Sequence, residues 1–230
     1  MKRRMSAQER KLAIVKTALP LFARGGFAQT TTKELAKAAG VSEPLLYKHF
    51  PSKEALYAAI HDYTCGETDP LVRKLTELNP STTTLVRLVY CLMRAMVLAR
   101  PIGTTDFDTR FRLMLQSILE DGAYARLVFR NRFAAFCSLI ESSLDAAISS
   151  GDVLRSSVSS ANAVRFTHHV GAWMAMTHLP AKPVLDYKTR REELVHQATR
   201  FALRGMGMTD PALAAHYDGK APELQFPEEW

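Results

Sequence analysis

Thr31 and Glu34 stand three residues apart, immediately before Leu35 and Ala36, and that spacing dictates where a helix begins. In such a capping box the hydroxyl accepts a first-turn backbone N–H while the carboxylate reaches back to the cap residue's own N–H, so two otherwise orphaned donors are satisfied. A helix is predicted from about Thr32, with Leu35, Ala36 and Ala39 on one side. Gly40 tolerates positive φ and lets the chain reverse within three residues. Ser42 then caps the next helix. Pro44 falls in that helix's first turn, where a missing N–H costs nothing because it would lack an intrahelical partner anyway. Two short helices joined by a tight turn are the elements of a helix-turn-helix nucleic-acid reader.

Charge points the same way. Residues 1–60 hold eleven Lys and Arg against four Asp and Glu, whereas residues 61–230 hold nineteen of each. The whole formal net charge of +7 is therefore concentrated around the helical pair. Phosphate neutralisation by Lys and Arg supplies most nonspecific affinity for nucleic acid, so this polarity fits a DNA-facing end. The alternative is a solvated basic tail of Lys2, Arg3 and Arg4.

From Ile14 to Leu56 the chain resembles the DNA-binding domain of the tetracycline-repressor (TetR) family of bacterial transcriptional regulators. Ile14, Ala18, Leu21, Phe22, Gly26 and Phe27 match the family's first helix and its Gly-aromatic end. Thr30, Thr31, Leu35 and Ala36 match the second helix, and Ala39, Gly40, Val41 and Ser42 the turn. Leu46, Tyr47, His49, Phe50, Ser52, Lys53, Glu54 and Leu56 match the recognition helix and the entry to the fourth. Beyond Leu56 the resemblance rests on length and helical content. Pro44 departs from the small residue common there, and Pro20 lies inside the first helix, where it deletes a bond to the Lys16 carbonyl and should bend the helix.

The resemblance implies an all-α fold with a three-helix DNA-binding domain over 1–55, a helical effector-binding and dimerisation domain over 56–208, and a tail over 209–230. It implies phosphate and sugar contacts from Thr31, Thr32, Lys33, Tyr47, His49 and Lys53. Base reading falls to Ser42, Glu43, Pro44, Leu45 and Lys48, since a short recognition helix offers only three or four side chains to the major groove. Glu43 has two readings: acceptor from a cytosine amino group, or an N-terminal charge favoured by the helix dipole. Leu46 reads as core. Tyr47 reads either as core or as a buried ring with its hydroxyl toward phosphate, and His49 also reads as a satisfied neutral histidine.

The remaining chain is patterned for helices and has ample apolar content, at 47% hydrophobic, for a core. A fourth helix is expected over Ser52–Leu78, kinked near Gly66 or Pro70. Thr84–Arg100 is apolar on both faces and so expected inside a bundle. Two stripes follow, one of Phe107, Phe111, Met114, Leu115 and Ile118, the other of Phe129, Phe133, Phe136, Cys137, Ile140 and Leu144, the second helix ending at Gly151. Such stripes are usually packing, and Tyr90, Met93, Phe107, Phe111, Met114, Phe133 and Trp173 are the candidates for an effector pocket that would suit an apolar or aromatic ligand. Arg110 and Arg130 could hold an anionic group but more often snorkel to solvent.

Helices over Ser160–Leu179 and Asp186–Met206 read as a dimerisation pair through Val170, Gly171, Trp173, Met174, Leu194, Ala198, Phe201 and Ala202, with a monomeric core as the alternative. A two-fold dimer predicts a palindromic operator with half-sites about 34–36 Å apart or a multiple of this. The tail is expected to pack through Tyr217, Phe226 and Trp230 or to be disordered. No signal peptide or membrane-length apolar run is evident, so a cytoplasmic protein is expected. Cys65, Cys91 and Cys137 read as reduced small hydrophobes. An enzyme built on His168, His169, His178 and Cys137 is the rival class. Adjacent histidines on a helix point about 100° apart and no His recurs at i+4, so neither a metal nor a cofactor is expected. A DNA-binding regulator without an effector is the third reading.

Overall fold

The structure, a computed structural model, describes residues 5–65, 78–98 and 107–217. Every extended element among them is a helix; Val153 and Met208 form an isolated antiparallel bridge. Two compact units emerge, one from the described parts of 1–68 and 102–132, the other from those of 69–101 and 133–230. Helices drawn from 56–132 thus share the first unit with the N-terminal helices.

The first unit contains α1 (Ala7–Gln29), α2 (Thr32–Ala38), α3 (Glu43–His49), α4 (Lys53–Cys65), α6 (Phe107–Leu119) and α7 (Ala123–Val128). Helix α1 is opened by a capping box that the Ser6-Ala-Gln-Glu9 spacing already carried: Glu9 N–H donates to Ser6 Oγ at 3.1 Å and Ser6 N–H to Glu9 Oε2 at 2.7 Å. Its backbone stays helical at Pro20 and leaves helical dihedrals at Gly26 instead, with φ 74 and ψ 176. Ile14, Ala18, Leu19 and Phe22 are buried, and α1 packs against α6, α4 and α2. The α6 stripe holds at Phe107, Phe111 and Met114 but fails at Ile118, which is 53% exposed; Leu113 and Ser117 are buried in its place.

In the second unit α5 (Thr82–Leu98) is the axis, packed against α8 (Ala134–Ser149), α9 (Ser160–Thr177) and α10 (Arg191–Gly205). Leu85, Leu88 and Leu92 are buried on one side and Val86, Tyr90, Met93 and Val97 on the other, as a helix apolar on both faces requires. The expected single helix through Phe129–Leu144 is interrupted by a π-helical turn, Phe129–Phe133. A π turn inserts a residue and rotates the face that follows. Phe129, where the turn begins, is exposed, whereas Phe136, Ile140 and Leu144 after it are buried.

Gly151, at φ 84, ends α8 as expected. After α10, Thr209 caps a short helix α11 (Asp210–His216), and Tyr217 is buried, so this part of the tail is packed. Phe226, Trp230, Gly66 and Pro70 lie outside the described residues, as does the side chain of Cys65. Cys91 is buried and Cys137 half-buried, both free thiols. No described helix is long and apolar enough to cross a membrane.

Gly171 fixes how closely α9 approaches the axis: a Cβ there would lie 3.1 Å from Met96 Cγ and 3.5 Å from Met93 Sδ. Gly171→Leu should therefore overpack the unit and lower its unfolding free energy by about 1–3 kcal/mol. Urea denaturation checks this, and an unchanged midpoint would contradict the tight α5–α9 contact.

Candidate nucleic-acid interface

A seven-residue helix closes few of its own hydrogen bonds, so α2 and α3 depend on their ends. At α2, Glu34 N–H donates to Thr31 Oγ1 at 3.2 Å and Thr31 N–H to Glu34 Oε2 at 2.9 Å, the reciprocal box read from the sequence. These bonds hold the Glu34 carboxyl below the usual carboxylate range. Gly40 turns the chain at φ 64, and Leu45 N–H donates to Ser42 Oγ at 3.3 Å, opening α3 with Pro44 in its first turn.

Leu35, Ala36, Leu46, Phe50 and Leu56 are buried, so one side of the pair is committed to packing. The other side carries Thr31, Lys33, Ser42, Pro44, Tyr47 and Lys48, all exposed. Tyr47, 45% exposed, is thereby removed from the core, and its ring is not buried. Its hydroxyl donates to Thr32 Oγ1 at 3.4 Å, and the Thr32 hydroxyl donates to Glu43 Oε2 at 3.1 Å. Glu43 thus ties α3 to α2, a role that neither reading of this residue anticipated. Leu45 and His49 are half-buried.

Lys53 is also placed differently from a free phosphate contact. Its ammonium donates to the carbonyls of Phe27, at 2.7 Å, and Thr30, at 3.2 Å, and lies 4.3 Å from the centre of the Phe27 ring. It satisfies carbonyls at the end of α1, where a cation is favoured. Lys11 lies 5.4 Å from the Phe50 ring centre and keeps a charge on the exposed face of α1.

The model of the bacterial regulatory proteins of the tetR family matches residues 14–60, the stretch that builds this capped pair. Residues 14–60 thus carry a domain of the tetR family. It is 41% identical over 69 residues to the HTH-type transcriptional regulator YerO of Bacillus subtilis, covering 30% of this chain and 24% of YerO. To the HTH-type transcriptional regulator EthR of Mycobacterium tuberculosis it is 39% identical over 80 residues, covering 35% of this chain and 37% of EthR. The match spans only 24% and 37% of these relatives' own lengths. Among solved structures, AibR in complex with isovaleryl coenzyme A and operator DNA aligns with a TM-score of 0.61 at 19% identity, over 87% of this chain and 100% of that one, a likeness of fold.

Outside the tetR-family domain, the pocket candidates divide between the two units: Phe107, Phe111 and Met114 in the first, Tyr90, Met93, Phe133 and Trp173 in the second. Tyr90 packs against the rings of His196 and Tyr217, with centroids 5.6 and 6.4 Å away, and Met93 is fully buried beside Gly171. Trp173 is 60% exposed. A crevice of about 350 Å³ in the second unit is lined instead by residues such as Asp145, Arg155, Ser159 and Ala163.

The residues read as a dimer face also separate. Gly171, Met174, Leu194, Ala198 and Ala202 are buried within their own unit, because these faces of α9 and α10 pack on α5. Val170 is half-buried, and Trp173 and Phe201 point outward. The apolar period revealed a packing face but not its partner.

Of the histidine and cysteine positions of the enzyme reading, His168 is buried, Cys137 and His178 are half-buried and His169 is exposed. Burial, with His169 nearby adding to it, lowers the His168 pKa to about 4, and its ring lies edge-on to Phe133. Burial pushes the Cys137 thiol up, away from the thiolate a nucleophile needs. His178 Nδ1 lies 2.8 Å from the Met174 carbonyl.

Because His168 is neutral when folded but titrates near 6.5 when unfolded, its contribution to stability is complete above pH 6.5 and is lost as pH falls toward 4. His168→Phe should flatten that part of the stability-versus-pH curve in urea titrations from pH 7 to 4. A variant that loses stability as steeply as the parent would contradict the assignment.

Proposed function

We propose that the chain is a sequence-specific DNA-binding transcriptional regulator, cytoplasmic, acting as a homodimeric repressor on a palindromic operator. The observation that carries the reading is the capped α2–α3 pair: one face is buried, and the other offers Ser42, Pro44 and Lys48 beside Lys33 and Thr31. In this reading Ser42, Pro44, Leu45 and Lys48 meet base edges, with Lys48 suited to guanine. Thr31, Lys33, Tyr47 and His49 meet phosphates, while Thr32, Glu43 and Lys53 support the pair from within.

A second copy fits the reading because Trp173 and Phe201 leave large apolar surfaces on α9 and α10, joined by Phe166, 56% exposed. A two-fold pair of recognition helices reads a palindrome. Release by a small effector needs a ligand that binds the DNA-competent and DNA-incompetent states with different affinity. AibR, solved with isovaleryl coenzyme A and operator DNA, supports an acyl thioester as the class to test first, and the aromatic alternative comes from the sequence. A regulator without an effector is the second reading, favoured by the close packing of Tyr90 and Met93.

Selection of bound duplexes from a random pool tests the proposal, and a recovered palindrome is the expected outcome. On that duplex Lys48→Ala should relax preference at particular positions, at about 1–3 kcal/mol each. Lys33→Ala should weaken all duplexes alike and reduce the salt slope by about one. A pool that returns no enriched sequence contradicts the reading. A thermal-shift panel of acyl thioesters and aromatic acids separates the two versions: a shift supports the effector, and its absence across the panel favours the second reading.

A further inference from the structure

Gly26 occupies a backbone region, φ 74 and ψ 176, that is essentially restricted to glycine. Just past this break, two successive backbone amides are taken up by one carboxylate. Phe27 N–H donates to Glu120 Oε2 and Ala28 N–H to Glu120 Oε1, each at 3.0 Å. A Cβ at position 26 would collide with that carboxylate, so the glycine is what admits it. On the carbonyl side of the same corner, Lys53 binds the oxygens of Phe27 and Thr30, and Thr30 Oγ1 donates to the Gly26 carbonyl at 2.7 Å. The four residues that lead into the Thr31 cap are therefore held by an anion from one element and a cation from another.

Glu120 directly follows α6, and four residues on, in α7, the Tyr124 hydroxyl pairs with Thr64 Oγ1 of α4 at 2.9 Å. One short segment thus grips both the corner before α2 and the helix after α3. We propose, resting on the DNA-binding reading, that Glu120 is a positioning residue for sequence readout: its carboxylate sets the departure of the α2–α3 pair from α1. The charge argument gives this a distinctive signature. Removing a carboxylate cannot weaken attraction to a polyanion, so nonspecific affinity holds or rises. Base recognition depends on side-chain placement and falls.

The test uses full-length Glu120→Gln and Glu120→Ala, with affinities for the selected duplex and for a random duplex measured at one salt concentration. Amide hydrogen exchange at Phe27 and Ala28 is followed in parallel. The expected result is a specific-to-nonspecific ratio reduced about tenfold, equivalent to roughly one base contact, with random-duplex affinity undiminished and both amides exchanging faster. Equal weakening on both duplexes would mark a merely structural role and overturn the proposal. So would a folded variant with the parent's ratio, or unchanged amide protection in either variant. If Glu120→Ala does not fold, the nearly isosteric Glu120→Gln carries the same comparisons. A parent without preference between the duplexes sinks the DNA reading itself and this proposal with it, a failure recognisable because the parent, not the variant, shows it.

Discussion

Seven-residue helices cannot hold themselves, and the first unit is organised around that constraint. Each leaves most of its terminal N–H and C=O groups without intrahelical partners, and nucleation alone is unfavourable at such lengths. Thr31, Glu34 and Ser42 answer the need at the helix starts. Burial of Leu35, Ala36 and Leu46 commits one side of the pair to packing, with α2 held against α1. The Thr32 hydroxyl, bonded to both Glu43 and Tyr47, couples the two helices directly. With polar satisfaction and packing assigned to one side, the opposite side is left exposed for a partner.

A different problem governs the second unit. Helix α5 is apolar on both faces, so it must be surrounded, and surrounding it requires neighbours with small residues at the closest approach. Gly171 provides one against Met93 and Met96, and Ala198 and Ala202 lie buried on α10. That use of small residues leaves Phe166, Trp173 and Phe201 as the outward apolar surface of α9 and α10, the surface assigned above to a second copy.

The sequence disclosed features whose cause is local. The Thr31–Glu34 box, the Ser42 cap, the Gly40 turn and the two-faced α5 are set by spacings of three or four residues, and each appears as read. What it hid depends on partners distant along the chain. Lys53 looked like a free cation because nothing local shows that the Phe27 and Thr30 carbonyls come to meet it. Glu120 was invisible for the same reason, being 93 residues from Phe27, although Gly26 was a signal that the backbone there does something only glycine allows. The stripe from Phe129 misled because a π turn breaks its period. The faces of α9 and α10 misled because periodicity identifies an apolar side without naming what covers it.

The central claim is that the exposed side of the α2–α3 pair is the surface that enters a DNA groove. Mapping amide chemical-shift changes on the isotopically labelled protein, titrated with its selected duplex, tests this most directly. The account predicts changes concentrated at residues 31–33 and 42–49, with those at the buried Leu35 and Ala36 smaller. Changes centred elsewhere on the chain, or none along 42–49 at saturation, would contradict it.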